Sequence, residues 1–174
     1  MSGSAIPAYA PLVVEGLAGA GIRIVAALPD SLFKTVHVLL RQDARFTYVL
    51  GASEADLPGI AAGAYLGGKR AAIVMENSGI RQACEPIARL AFSHHMPLLL
   101  LMTHRGDLGE RYWWGHSHAQ TMQPLLEALR IPSWRVCRLE EIERSIGGAA
   151  DHAESSQWPV ALVFSGDCVE APAR

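Results

Sequence analysis

A surplus of positive charge, a long apolar run and a cysteine framework are all missing from this chain. Lysine and arginine total 15 against 17 aspartates and glutamates, a formal charge of -2. Nothing there would neutralise a phosphate backbone, so no nucleic-acid partner is expected. The longest purely apolar stretch, Met96-Pro97-Leu98-Leu99-Leu100-Leu101-Met102, is far too short to span a bilayer. No Lys or Arg precedes Arg23 and Glu15 interrupts the first apolar segment, which argues against a secretory signal. Cys84, Cys137 and Cys168 are odd in number and lack a C-x-x-C pair, so neither disulfides nor a zinc ribbon is indicated. Only 18% of residues are charged while 50% are hydrophobic, which excludes a disordered chain or a coiled coil. The sequence also lacks G-x-G-x-x-G after its first strand-like segment, a P-loop and a G-x-S-x-G elbow, so dinucleotide, nucleotide and hydrolase chemistry lose their support. A cytoplasmic protein with no membrane segment is the expectation.

What is present fits one domain over residues 1–174, with ample apolar material for a core. Helical spacing marks 8–20, 32–40, 54–66, 80–93, 121–129 and 140–154. Short β-branched or apolar runs mark strands at 22–28, 46–50, 71–75, 97–102, 134–137 and 160–164. The apolar 97–102 run predicts a strand inside a sheet covered on both faces. Only 103–120 breaks the rhythm, with three glycines, Trp113-Trp114, His104, His116 and His118, and it reads as a loop. The alternation predicts a three-layer α/β/α fold with a mostly parallel six-stranded sheet.

Ligands in such folds sit beyond the carboxyl ends of strands. The informative segments are therefore Pro29-Asp30-Ser31, Gly51-Ala52-Ser53-Glu54, Glu76-Asn77-Ser78-Gly79, Thr103-His104-Arg105-Gly106 and Ser165-Gly166-Asp167. Glu54 has two readings: a first-turn carboxylate favoured by the helix dipole, with Ser53 as a cap, or a functional group. Pro58 requires that helix to begin near Asp56 or to have a distorted first turn. Glu76 to Gly79 is either a strand exit with an N-cap or a loop turning Asn77 toward a ligand. His116-x-His118 on a loop without a third ligand is poor evidence for metal, and no metal site is expected. Trp113-Trp114 either packs against a neighbour or walls a pocket or interface.

Taken together, Leu28-Pro29-Asp30-Ser31-Leu32, Glu54 with Ala61-Ala62-Gly63-Ala64-Tyr65-Leu66, Asn77-Ser78-Gly79, Pro97-Leu98-Leu99-Leu100-Leu101, His104-Arg105-Gly106 and Leu125-Leu126-Glu127-Ala128-Leu129-x-Ile131-Pro132 carry a resemblance. The chain resembles the pyrimidine-binding domain of thiamine diphosphate enzymes, specifically the α subunit or N-terminal half of sulfopyruvate and phosphonopyruvate decarboxylases. The likeness runs from about Pro11 to Asp167.

The resemblance implies a 2-oxo acid decarboxylase releasing an aldehyde and carbon dioxide. It makes Glu54 the catalytic carboxylate, bonded to N1′ of the aminopyrimidine so that the 4′-amino group can take the thiazolium C2 proton. Pro29, Glu54, Asn77, Ser78 and Gly79 would line the cofactor. Asp30, Ser31, His104, Arg105, Trp113, Trp114, His116 and His118 become candidates for the substrate side. Family enzymes hold the diphosphate and Mg²⁺ with Gly-Asp-Gly and a later Asn. Here Gly166-Asp167 is followed by Cys168, which implies a separate β subunit that carries the diphosphate domain. The site would then be shared in an α/β hetero-oligomer, a heterotetramer or larger, with the small-residue face of the 54–66 helix at the contact.

This chain also departs from the pattern. Relatives read Gln-Asn-Ser-Gly-Leu-Gly-Asn where Glu76-Asn77-Ser78-Gly79-Ile80-Arg81-Gln82 stands, and Gln120 occupies a position where Arg is expected. One lost cation and two gained indoles favour a less anionic, bulkier 2-oxo acid than a sulfonate or phosphonate. A non-catalytic regulatory subunit and a carboligase are the alternative readings.

Overall fold

The computed structural model describes residues 6–165 and 168–169. Its elements alternate along the chain: α1 (Tyr9–Gly19), β1 (Ile22–Ala27), α2 (Lys34–Gln42), β2 (Thr47–Leu50), α3 (Leu57–Leu66), β3 (Arg70–Glu76), α4 (Ile80–His94), β4 (Leu99–Thr103), α5 (Trp113–Ala128), β5 (Ser133–Val136), α6 (Ile142–Ser156) and β6 (Val160–Phe164). The six strands form one sheet in the order β2-β1-β3-β4-β6-β5, and every neighbouring pair is parallel. The fold is thus the α/β class indicated by the sequence.

Side-chain alternation explains why the sheet is covered twice. In β3, Ala72 and Val74 enter one apolar cluster with Val13, Leu17, Val36 and Ile146; Ile73 and Met75 enter the other with Ile80, Ile87, Met122 and Leu126. In β4, Leu99 and Leu101 face the first cluster, while Leu100 and Met102 face the second. Successive residues point to opposite faces, so a strand buried on both must be apolar throughout. Helices α1, α2 and α6 therefore cover one face, and α3, α4 and α5 the other. The less apolar β2 and β5 form the edges.

The largest boundary difference from expectation is at α5. Helix α5 begins at Trp113, eight residues before the expected start, so Trp113, Trp114, His116 and His118 are helical and not in a loop. Glu110 holds the turn that leads into this helix. Its Oε1 accepts from the backbone N–H of Arg111 and of Tyr112, at 2.9 and 3.0 Å, and its Oε2 accepts from that of Gly106. Gly115 has no Cβ because one would stand 2.7 Å from that carboxylate.

Strand order places the functional end. From β1 the chain steps outward to β2, whereas from β3 it steps the opposite way to β4, so the order reverses between β1 and β3. The carboxyl ends of those two strands flank a crevice of the type where α/β sheets bind ligands. Among the described residues, no helix is long and apolar enough to cross a membrane.

Candidate functional site

Glu54 lies in the turn between β2 and α3, ahead of the helix. Asp56 ties this turn together, its Oδ2 accepting from the backbone N–H of Ala52 at 2.9 Å and of Ser53 at 3.0 Å. Ser53 Oγ accepts from Ala55 N–H, and α3 has no acidic residue in its first turn. The helix-dipole reading of Glu54 therefore falls, as does Ser53 as helix cap. Helix α3 starts immediately after Asp56, which puts Pro58 in the first turn, where its missing N–H is harmless. Among the described residues, no hydrogen bond or ion pair engages the half-buried Glu54 carboxylate.

The Glu54 side chain reaches across to the end of β3. A Cβ on Gly79 would stand 2.6 Å from Glu54 Cγ and 3.2 Å from Oε1. Glycine at 79 is thus what permits the carboxylate to lie over the Asn77–Gly79 turn. Asn77 itself is fully buried, and its amide is turned inward. Its Nδ2 donates to Arg105 C=O at 2.9 Å while its Oδ1 accepts from Arg105 N–H at 3.2 Å. That pair clamps the exit of β3 to the exit of β4. The expectation that Asn77 turns its side chain to a ligand is corrected: it fixes the loop.

Behind this turn lies a charged cluster. Glu76 Oε1 accepts from Ser78 Oγ at 3.1 Å and lies 3.1 Å from His118 Nδ1, while Oε2 is 3.9 Å from Arg105 Nε. Arg105 donates through Nη2 to Ser31 Oγ at 3.2 Å, approaches Glu110 at 3.5 Å and stacks over the Tyr112 and Trp114 rings. Trp114 in turn packs on Tyr112 and His118. Ser31, Arg105, Trp114 and His118 are thereby brought together.

Proton affinities in the cluster are displaced in opposite senses. Burial raises the Glu76 carboxyl above the ordinary carboxylate range, with nearby Asp30 and Glu110 adding to the rise and Ser78 and Arg105 opposing it. Burial lowers the His118 imidazole, helped by the charges of Arg81 and Arg105.

Other candidates make no direct contact with this cluster. The Asp30 side chain is buried: its Oδ1 accepts from the N–H of Leu32 and Phe33, and its Oδ2 lies 3.5 Å from His37 Nε2. His37 Nδ1 contacts Tyr48 Oη at 2.9 Å. His104 turns toward β5, with Nδ1 3.1 Å from Asp107 and Nε2 3.3 Å from Arg135. Trp113 is 85% exposed, His116 and Pro29 are exposed, and none of them joins the cluster. A spacing of two on a helix turns His116 and His118 to different faces, which removes any shared site. Among the described residues, no group of three or more His, Cys, Asp and Glu side chains converges as a metal site. Gly166-Asp167, singled out in the sequence, lies outside the described residues.

A cavity of about 180 Å³ opens at the other end of the sheet, lined by Ile22, Ala61, Tyr65, Arg70, Leu99 and Ala153. It stands at the amino ends of the strands, away from the crevice between β1 and β3, and holds none of the residues above.

No family model matches the sequence. The sulfopyruvate decarboxylase subunit alpha of Methanocaldococcus jannaschii is 32% identical over 152 residues, covering 87% of this chain and 90% of the relative. The chain belongs to this family. The corresponding subunit of Methanococcus maripaludis is 29% identical over 152 residues and is covered to 91% of its length. Phosphonopyruvate decarboxylase of Streptomyces viridochromogenes matches at 30% over 99 residues, 57% of this chain and 25% of that one. Among solved structures, a 2-oxoglutarate:ferredoxin oxidoreductase from Magnetococcus marinus superposes with a TM-score of 0.72 at 17% identity. That match covers 92% of this chain and 29% of the other, and it establishes the fold.

The sequence singled out neither Glu110 nor His37, and marked Glu76 as the start of the strand-exit segment and as a departure from the family pattern. Glu110 sits among glycines that look like loop, and His37 lies on a helix face five residues beyond the Leu32 anchor. An acid ending an otherwise apolar strand was the available signal for Glu76.

Proposed function

We propose that this chain is the α subunit of a two-subunit thiamine diphosphate-dependent decarboxylase that converts a 2-oxo acid to an aldehyde and carbon dioxide. The carrying observation is the Glu54 carboxylate, unengaged and seated over Gly79 at the strand ends in a member of this family. A half-buried acceptor with no protein partner suits an aminopyrimidine ring nitrogen, so Glu54 would hold that ring, with Pro29 and the 77–79 turn beside it. When bound, the cofactor supplies the carbon nucleophile and electron sink. The chain's own part is to bind the ring, hold a proton at its nitrogen and position the substrate.

The relatives' designation as alpha subunits supports a β partner, which we assign the diphosphate and Mg²⁺. Gly59 and Gly63 on α3 have no atom within 4 Å of a Cβ position, and Leu66 is 73% exposed, leaving an open face suited to that contact. The whole chain acts as one pyrimidine-binding domain in this reading. Trp114, stacked with Tyr112 in the cluster, and Gln120, in place of a cation, favour a 2-oxo acid with an apolar or aromatic tail over a sulfonate.

The test is co-purification with a partner containing Gly-Asp-Gly, followed by assay with Mg²⁺, thiamine diphosphate and a panel of 2-oxo acids. Glu54→Gln should nearly abolish turnover while the complex still assembles. Retained turnover would remove the mechanism, and a strong preference for sulfopyruvate would remove the substrate assignment.

A further inference from the structure

We propose that Glu76 and His118 hold one exchangeable proton between them, and that this proton replaces the departing carboxylate on the substrate carbon. The inference rests on the decarboxylase reading above and adds to it the source of the product's hydrogen. In the net step, the C–C bond to the carboxylate breaks and carbon dioxide leaves. The electron pair stays behind, and a C–H bond forms with a proton from the pair. Water then restores the proton, so neither oxidant nor reductant is required.

Geometry selects this pair over the other acids and imidazoles at the strand ends. Glu110 is committed as an acceptor to three backbone N–H groups. Asp30 caps its own turn and faces His37, and His104 is held by Asp107 and Arg135. His118 Nδ1 is sealed from solvent and has no directed hydrogen bond, and Glu76 Oε1 at 3.1 Å is the carboxylate within its reach. The pair bridges β3 and α5, and Ser78 Oγ ties Glu76 to the turn on which Glu54 rests.

The surroundings bring the two proton affinities closer together. Burial is the main cause, raising the Glu76 carboxyl and lowering the His118 imidazole. On Glu76, Asp30 from the β1 exit and Glu110 from the loop before α5 add to the rise, while Ser78 and Arg105 oppose it. On His118, Arg81 on α4 and Arg105 after β4 push a proton away, while Glu110 draws one toward it. A carboxyl moved up and an imidazole moved down differ less in proton affinity than the same two groups in water.

Two measurements test this. The first is NMR titration of the ¹⁵N-histidine-labelled full chain, with His118 assigned through His118→Gln. Glu76→Gln should move the His118 midpoint downward, since the imidazolium loses its anionic neighbour. An unmoved midpoint overturns the pair. The second uses the complex of the chain with its β subunit, where carbon dioxide release is followed with ferricyanide present to intercept the reacting carbon, and aldehyde is followed without it.

Glu76→Gln and His118→Gln should each lower aldehyde formation about 100-fold, the low end of general acid catalysis, while leaving ferricyanide-coupled carbon dioxide release near wild type. A parallel fall of both, or a fall of neither, overturns the proposal. A wild-type complex that releases no carbon dioxide from any 2-oxo acid defeats the decarboxylase reading and the substrate step with it; the titration still judges the pair.

Discussion

Glu54 occupies the space that a side chain on Gly79 would need. A Cβ there would meet Glu54 Cγ at 2.6 Å and Met75 Sδ at 2.9 Å. Gly79 has ordinary helical backbone angles, so the requirement is for room and not for an unusual conformation. Gly79→Ala should therefore fold, push the carboxylate aside and reduce turnover of the complex by about 100-fold, the cost of an ångström-scale misplacement. Thermal melting beside the rate assay checks this. A variant that keeps its activity would show that the carboxylate needs no such seat.

A second glycine serves packing alone. Gly16 lets α1 approach α6, and a Cβ at that position would lie 2.8 Å from Ile146 Cδ1 and 3.2 Å from the Glu143 Cα. Gly16→Val forces the helices apart, with overpacking expected to cost about 1–3 kcal/mol against a few tenths gained in helix propensity. Urea unfolding should show a lower midpoint at an unchanged slope.

The fold was legible in the sequence because strands buried on both faces announce themselves. The 97–102 run has no polar residue to hide it, and the small-residue helix over 54–66 is marked by its neighbours. The helix start at Trp113 was not legible. Two glycines and no N-cap residue precede it, and the turn that leads into it is held by Glu110 accepting from the N–H groups of Arg111 and Tyr112, a device that no sequence pattern marks. Within the site, a carboxylate after a strand could be singled out, but partners that meet only in three dimensions could not. Asn77 looked like a ligand group, yet its amide fits the Arg105 backbone, 28 residues away.

Stability should fall with acid through His104. Burial is the main cause that holds its imidazole below the ordinary histidine value of 6.5; the Arg135 charge adds to it and Asp107 opposes it. The unfolded chain then takes up the proton more readily, so the stabilisation is fully present above the unfolded value and is lost as pH falls through the folded one. His104→Asn should flatten the decline in urea midpoint between about pH 7.5 and 5.5 without abolishing it, because His118 is displaced the same way. An identical slope in the variant would contradict the assignment.

Glu76 should show the reverse sign. Its carboxyl is raised above 4.5, mainly by burial, so the folded state binds the proton more tightly than the unfolded chain does. Its favourable contribution is complete below the unfolded value and is lost as pH rises through the folded one. Near neutrality the buried charge is a cost, and Glu76→Gln, which keeps the shape and removes the charge, should melt higher than wild type there. The advantage should shrink as pH falls and vanish below about 4.5, where the unfolded carboxyl is protonated too. Melting curves across that range decide the matter. A variant less stable than wild type at neutral pH would mean that the contacts to His118 and Arg105 outweigh desolvation, and that Glu76 is retained as an ion-pair partner.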